Sequence, residues 1–294
     1  MSIRAHLLNA VLGLLSRRQR GQAVTPQAVR AALESVPPMP IRGVAYKPGH
    51  VGGVPGEWVE NPAQKPFATL LYLHGGGYVA MSPRTHRALT GSLAQRGLRV
   101  FAPDYRLAPE HPFPAALDDA HRAWRALRDE GKEPFFVAGD SAGGGLALAL
   151  LLKLRDEGGP LPAGAVLFSP WTDLAATGAS VAANAKRDPV LRADAIPVVA
   201  RSYYGTTDVR HPYVSPLYGD PRGLPPLKIF VGEREILLDD SRRVAERAKA
   251  AGVDVDIEVW PVVPHVWQLF PRLLPEARRS FDRTAEFLRR LAKP

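Results

Sequence analysis

The chain has 294 residues, of which 46% are hydrophobic and 23% are charged, so it is long enough to bury a large globular core. It contains no cysteine, which excludes disulfides, thiolate catalysis and cysteine-ligated zinc and fits a cytoplasmic protein. The formal net charge is +9, but the arginines are scattered over predicted helices without interleaved aromatic residues, so we expect no nucleic-acid partner.

The N-terminal residues predict two helices. In the first, apolar residues recur at helical spacing, and their common face is expected to cover protein or, alternatively, a lipid surface. Its members are Ile3, Leu7, Leu8, Val11, Leu14 and Leu15. The apolar stretch 7–15 is far shorter than the ~20 residues of a membrane span, so no stable membrane insertion is expected. Thr25-Pro26 indicates the start of a second helix that ends near Ser35.

Strands and helices alternate along most of the remaining chain. The predicted strands are an antiparallel edge pair at 41–47 and 54–59, followed by 68–73, 98–102, 134–138, 163–168, 227–231 and 253–259. The predicted helices are 82–97, 114–130, 146–154, 239–251 and 275–291. This alternation predicts an α/β fold, with a mainly parallel eight-stranded sheet covered by helices on both faces. Ligands of such sheets bind at the carboxyl ends of the strands.

The alternation is lost between Trp171 and Gly219, where prolines interrupt Ala-rich and aromatic pieces. A connection of this length in a compact domain is usually functional, so we expect a helical cap over the site. The predicted organisation is an N-terminal helical cap segment at 1–45, a catalytic core at 46–171 and 219–294, and an inserted cap segment at 172–218.

A serine stands between glycines in Gly139-Asp140-Ser141-Ala142-Gly143-Gly144, at the joint of a predicted strand and helix. So tight a turn strains the serine backbone and requires neighbours without side chains. It would hold the Ser141 hydroxyl exposed above the sheet as a nucleophile. An ordinary Gly-rich turn is the alternative that this motif alone leaves open.

Three consecutive glycines follow the first long strand, in His74-Gly75-Gly76-Gly77. They allow several backbone N–H groups to point at one position, as the oxyanion hole of an acyl-transfer enzyme requires. We expect Gly75, Gly76 and Ala142 to be the donors, with Gly77 as a substitute. The alternative, a phosphate-cradling loop, lacks its accompanying sequence patterns.

The chain order of this fold places an acid and then a histidine after the nucleophile. His265 follows the last predicted strand and is the candidate general base, whereas His211 lies in the inserted segment and is expected to be structural. The acid is expected on the loop after strand 227–231. The candidates are Glu233, Glu235, Asp239 and Asp240, of which Glu235 is the first choice and Asp239 the alternative. Asp239 and Asp240 also suit a helix N-cap.

Three stretches of this sequence resemble the motifs of the bacterial hormone-sensitive-lipase-like esterases, which have the α/β-hydrolase fold: 74–77, 104–115 and 139–144. The resemblance implies carboxylesterase activity on short- to medium-chain acyl esters without a cofactor. It also implies that residues 104–114 support the loop 74–77, which we call the glycine loop. It further makes a homodimer through the sheet edge near 253–259 plausible. Many members have Asp where this chain has Glu235, so the chain departs from the family pattern at the acid.

The resulting hypothesis is a serine carboxylesterase acting through an acyl-enzyme, with Ser141, Glu235 and His265 as its catalytic residues and no metal. Two alternatives remain open at this stage. An amidase or peptidase would use the same residues, and a ligand-binding protein would use the fold without chemistry.

Overall fold

The computed structural model describes residues 1–18, 24–35, 37–131 and 134–292. Its strands are β1 (Ala45–Val51), β2 (Val54–Glu60), β3 (Ala68–Leu73), β4 (Leu98–Pro103), β5 (Phe135–Asp140), β6 (Ala165–Phe168), β7 (Leu227–Gly232) and β8 (Val255–Trp260). They form one eight-stranded sheet in the order β1-β2-β4-β3-β5-β6-β7-β8. β2 pairs antiparallel with β1 and β4, and the pairs from β4 to β8 are parallel, which confirms the predicted architecture.

Helices cover both faces of the sheet. They are α1 (Ile3–Arg18), α2 (Pro26–Glu34), α3 (Arg87–Ala94), α4 (Ala115–Glu130), α5 (Ala142–Asp156), α6 (Ala179–Ala183), α7 (Ile196–Tyr204), α8 (Leu238–Ala250) and α9 (Pro275–Ala292). Side chains alternate along β3: Leu71 and Leu73 join the core under α4, α5 and α8, whereas Leu70 and Tyr72 join the core under α3 and α9. A strand buried on both faces is expected to be hydrophobic along its length, and β3 is so at every position except Thr69.

Among the predicted boundaries that differ from the structure, two have clear local reasons. The helix expected from residue 82 begins at Arg87, because the Thr85 hydroxyl donates to the Ser82 carbonyl at 2.7 Å and closes a separate turn. The first strand runs to Val51 rather than to 47, because Gly52 and Gly53, with φ of 59° and 75°, form the tight turn into β2.

The apolar face predicted on α1 is turned toward solvent, so the expectation that it covers protein is wrong. Five of its six members have between 50% and 79% of their surface exposed: Ile3, Leu7, Val11, Leu14 and Leu15. The helix packs instead through the small or polar residues Ala5 and Asn9, which are buried. Its start is tied to α9, because the Ser2 hydroxyl donates to Glu276 Oε2 at 2.9 Å.

The predicted segment 1–45 is only partly described, since residues 19–23 and 36 lie outside the described residues. Within it, Arg30 on α2 fixes the helix to the core by donating to the carbonyls of Val79, at 2.6 Å, and Ala108, at 2.9 Å. In the described ranges, no helix has the combination of length and apolar character that crossing a membrane requires.

Candidate active site

Ser141 occupies a strained turn between β5 and α5, with φ of 51° and ψ of −121°. Its N–H donates to the Phe168 carbonyl at 2.9 Å, and its carbonyl accepts from the Trp171 N–H at 2.8 Å. A Cβ at Gly139 would overlap the Gly143 carbonyl oxygen, and one at Gly143 would overlap that of Leu73. The flanking glycines therefore allow the close approach of strand and helix that the sequence predicts.

Glu235 and His265 are brought together at the carboxyl ends of β7 and β8. Glu235 Oε2 lies 2.6 Å from His265 Nδ1, and the Glu235 side chain is fully buried. Its Oε1 accepts hydrogen bonds from the Ser169 hydroxyl at 2.7 Å and from the Gly232 N–H at 2.5 Å. These donors hold the carboxylate in one orientation toward the imidazole.

The other ring nitrogen, His265 Nε2, is buried and makes no hydrogen bond to any residue that the structure describes, Ser141 included. Catalytic hydrogen bonds of this kind often tighten only when substrate binds. Burial opposes the charged imidazolium, but the charge and hydrogen bond of Glu235 outweigh it, so the pKa of His265 is raised above its ordinary 6.5. Ser141 follows β5, two strands from β7 and its Glu235 loop, at the same edge of the sheet.

The alternative acid, Asp239, has a different partner. Its Oδ2 accepts from the Ser180 N–H at 2.8 Å, and Asp240 Oδ2 accepts from the Thr172 N–H at 2.7 Å. Neither aspartate is an N-cap, because α8 already begins at Leu238 and both lie within its first turn. Burial raises the pKa of Asp240 to about 7.

The Gly75 N–H is already engaged, since it donates to Asp140 Oδ1 at 3.0 Å. This contact conflicts with the prediction that Gly75 serves an oxyanion, because a hydrogen held by a buried carboxylate is not available to a substrate. Gly76 and Gly77, with φ of 118° and 66°, adopt backbone conformations that favour glycine. Ala142 is the first residue of α5, so its N–H lies at a helix N-terminus.

Asp140 is a positioning residue that sequence reasoning missed. Besides Gly75, its buried carboxylate accepts from the Tyr72 hydroxyl at 2.6 Å and lies 3.3 Å from His86 Nε2. Burial works against its charge, but these partners outweigh burial and lower its pKa. The only signal in the sequence was its place directly before Ser141.

The segment after β4, which the resemblance implies to be a support for the glycine loop, contacts that loop directly. The Tyr105 hydroxyl donates to the His74 carbonyl at 2.6 Å, and the two rings stack with centroids 4.2 Å apart. The Ala108 N–H donates to the Tyr78 carbonyl at 2.9 Å. Burial, with a smaller effect of His86, lowers the pKa of His74 to about 3, so this imidazole is neutral near pH 7. Among the described residues, no group of three His, Asp or Glu side chains is placed to hold a metal ion.

Part of the inserted segment holds the loop after β7 that carries Glu235, which we call the acid loop. No recognisable pattern in the sequence marks this role. The Asn184 side chain donates to the carbonyls of Glu233, at 3.1 Å, and Glu235, at 2.8 Å. Asp188 Oδ2 accepts from the Ile236 N–H at 2.9 Å. Burial raises the pKa of Asp188 to about 6, and its charge contributes to the raised pKa of His265.

Another part of the segment, α7, lies over the glycine loop. A Cβ at Gly77 would come within 2.8 Å of Val199 Cγ1. Tyr203 stacks on Tyr78 with ring centroids 3.7 Å apart, and its carbonyl accepts from the Phe113 N–H at 2.8 Å. His211, outside this helix, accepts from the Tyr213 N–H in a local turn, which fits the expected structural role.

Comparison with known proteins gives one consistent result. Residues 70–269 match a family described as having the alpha/beta hydrolase fold. An acetyl-hydrolase of Streptomyces hygroscopicus is 48% identical over 242 residues, covering 81% of each chain, and an esterase of Acinetobacter venetianus is 37% identical over 273 residues, covering 90% of this chain and 89% of the other. The crystal structure of an esterase from the bacterial hormone-sensitive lipase family superposes with a TM-score of 0.90 at 42% identity, covering 100% of this chain and 99% of that one.

Proposed function

The chain belongs to the alpha/beta hydrolase fold family and is a carboxylic ester hydrolase of the bacterial hormone-sensitive-lipase type, and we propose that Ser141, His265 and Glu235 are its catalytic residues. The observation that supports this most strongly is the buried Glu235–His265 pair at 2.6 Å, with His265 Nε2 left without a partner in the described structure. That nitrogen is the one that must accept the proton of a nucleophile.

In the proposed reaction the Ser141 hydroxyl attacks the acyl carbon of a small ester. His265 Nε2 takes the hydroxyl proton, and the Glu235 carboxylate stabilises the imidazolium and keeps Nδ1 protonated. His265 then delivers the proton to the departing alkoxide, which leaves an acyl group on Ser141. Water attacks this acyl-enzyme with His265 again as base, which releases the acid and regenerates the serine. These steps require neither metal nor cofactor.

The oxyanion of each tetrahedral intermediate is proposed to be bound by the N–H groups of Gly76, Gly77 and Ala142. This assignment replaces Gly75 by Gly77, because the Gly75 N–H donates to Asp140. Each such donor contributes about 2.7–4 kcal/mol of transition-state stabilisation. The contact of Gly75 with Asp140 instead anchors the loop that carries the other two glycines.

Segments 1–45 and 172–218 are proposed to act together as a cap. The support is that α7 lies over Gly77, and that a Cβ at Gly13 on α1 would come within 4.0 Å of Pro189 in the inserted segment. A cap over the site leaves a finite space, so we expect short- to medium-chain acyl esters to be preferred. A higher kcat/KM for long-chain triglycerides than for butyrate esters would contradict this expectation.

The direct test is hydrolysis of p-nitrophenyl butyrate by the wild type and by Ser141→Ala. Loss of the nucleophile should leave only a residual rate, and an active-site phosphonate should label the wild type at Ser141 alone. Undiminished hydrolysis by Ser141→Ala would refute the assignment. Running matched ester and amide substrates in parallel would separate an esterase from an amidase with the same residues.

Two further properties are proposed, one from the edge of the sheet and one from the composition. A homodimer through β8 is proposed because this strand ends the sheet and Val259 is 38% exposed. A monomeric mass in light scattering at all concentrations would contradict it. A cytoplasmic location is proposed from the cysteine-free composition of the chain. Recovery of the enzyme outside the cytoplasmic fraction of its native cells would contradict that.

A further inference from the structure

We propose that a cavity between α1 and residues 186–189 binds a phosphate group. The cavity has a volume of about 460 Å³, within the roughly 300–1,000 Å³ of typical small-molecule sites. Its polar lining consists of His6, Asn9, Lys186, Arg187, Asp188 and Arg234. This inference goes beyond the proposed esterase reaction, and phosphate binding at the cavity does not depend on that reaction.

The charge of the lining is strongly positive. Lys186, Arg187 and Arg234 contribute three cations, and none of them forms an ion pair within the part of the chain that the structure describes. Arg187 has only a hydrogen bond to a neutral partner, Asn184 Oδ1, at 3.2 Å. Cations gathered in one concave site without counter-charges attract an anion.

The one carboxylate of the lining, Asp188, is engaged by backbone N–H groups and forms no ion pair among the described residues. It is 2% exposed. Its Oδ1 accepts from the N–H groups of Val190 and Leu191, each at 2.9 Å, and its Oδ2 accepts from that of Ile236 at 2.9 Å. Three backbone donors thus hold its charge, and it does not serve as the counter-ion of Lys186 or Arg187.

A phosphate group matches this lining. Its anionic oxygens accept charge-assisted hydrogen bonds, and Lys186, Arg187 and Arg234 are three cationic donors around one cavity.

Titration calorimetry of the wild type with inorganic phosphate at pH 7 and constant ionic strength tests the site. Phosphate should bind saturably, and Lys186→Gln should weaken its binding about tenfold, the effect of one charge-assisted hydrogen bond. Lys186 is exposed, so this variant should fold normally. Lys249→Gln, which removes an equal charge from the exposed face of α8, is the matched control and should bind like the wild type.

The proposal would be overturned by the absence of saturable binding to the wild type or by equal weakening in the two lysine variants. Because binding is measured without turnover, repeating it with Ser141→Ala separates this result from the fate of the esterase proposal.

A second measurement identifies where the phosphate comes from. In it, the kcat/KM for butyrylglycerol is to be compared with that for its phosphorylated counterpart, butyrylglycerol phosphate. If the phosphate belongs to a substrate, the phosphorylated ester should be preferred by about tenfold and Lys186→Gln should abolish the preference. If free phosphate is the ligand, calorimetric binding persists while the two esters are hydrolysed equally well; both results support the site.

Discussion

Replacing Glu235 by Gln tests the Glu235–His265 pair sharply, because the surrounding donors dictate how the new amide must lie. In the wild type, Oε1 accepts from the Gly232 N–H at 2.5 Å and from the Ser169 hydroxyl at 2.7 Å, while Oε2 faces His265 Nδ1. The Gly232 N–H is fixed by the backbone and can only donate. The amide oxygen must therefore take the position of Oε1, which leaves the amide NH₂ facing His265.

An NH₂ group facing His265 Nδ1 turns that nitrogen into an acceptor, so the neutral ring must have its hydrogen on Nε2. In this tautomer Nε2 cannot take the proton of Ser141. We expect kcat to fall by about 10⁴-fold, the loss seen when the corresponding acid of a serine protease becomes an amide. That factor corresponds to about 5 kcal/mol of activation free energy.

The assay is the kcat for p-nitrophenyl butyrate, with thermal unfolding of each variant as a check on folding. Asp239→Asn is the matched control, because Asp239 Oδ2 accepts from the Ser180 N–H and not from the imidazole. A loss of less than about tenfold (1.4 kcal/mol) in Glu235→Gln would refute the tautomer argument. A larger loss in Asp239→Asn would make Asp239 the acid.

Three other measurements address the buried charges around the site. His265 must be neutral to accept a proton, and its pKa is raised above 6.5. On the acid side, the kcat/KM of the wild type should therefore fall to half its maximum at a pH above 6.5. A midpoint below pH 6.5 would contradict this. The charge of Asp188 raises that pKa, so Asp188→Asn should move the acid limb to lower pH, and an unmoved or higher limb would argue against it. Tyr72→Phe removes a buried donor to Asp140 and should lower the free energy of unfolding in urea by about 1–3 kcal/mol, whereas an unchanged value would show that the Tyr72 bond is dispensable.

Much of the fold was predictable because its signals are local. β3 is buried throughout and hydrophobic at every position except Thr69, so its residues alone indicate a central strand. The turn at Ser141 was equally predictable from sequence, because a strand and a helix can approach this closely only where positions 139 and 143 are glycine. Chain order then limited the histidine to few candidates, and the structure places His265 beside Glu235.

The features that sequence reasoning missed depend on contacts between distant parts of the chain. The contact of Gly75 with Asp140, 65 positions away, was missed because three adjacent glycines look equivalent in sequence. The orientation of α1 was misjudged because helical spacing defines an apolar face without saying what covers it. The same limit hid Asn184, since no local pattern marks a side chain that bonds to a loop 49 and 51 positions later.

The hold of Asn184 and Asp188 on the acid loop has a consequence for how substrate preference can be altered. Grafting residues 172–218 from a relative onto this core would remove the side chains that fix Glu233, Glu235 and Ile236, unless the donor supplies the same two residue types. Segment exchange would then disturb the chemistry together with the selectivity. Point substitutions on α7 avoid this coupling, so laboratory evolution of new specificities should begin there.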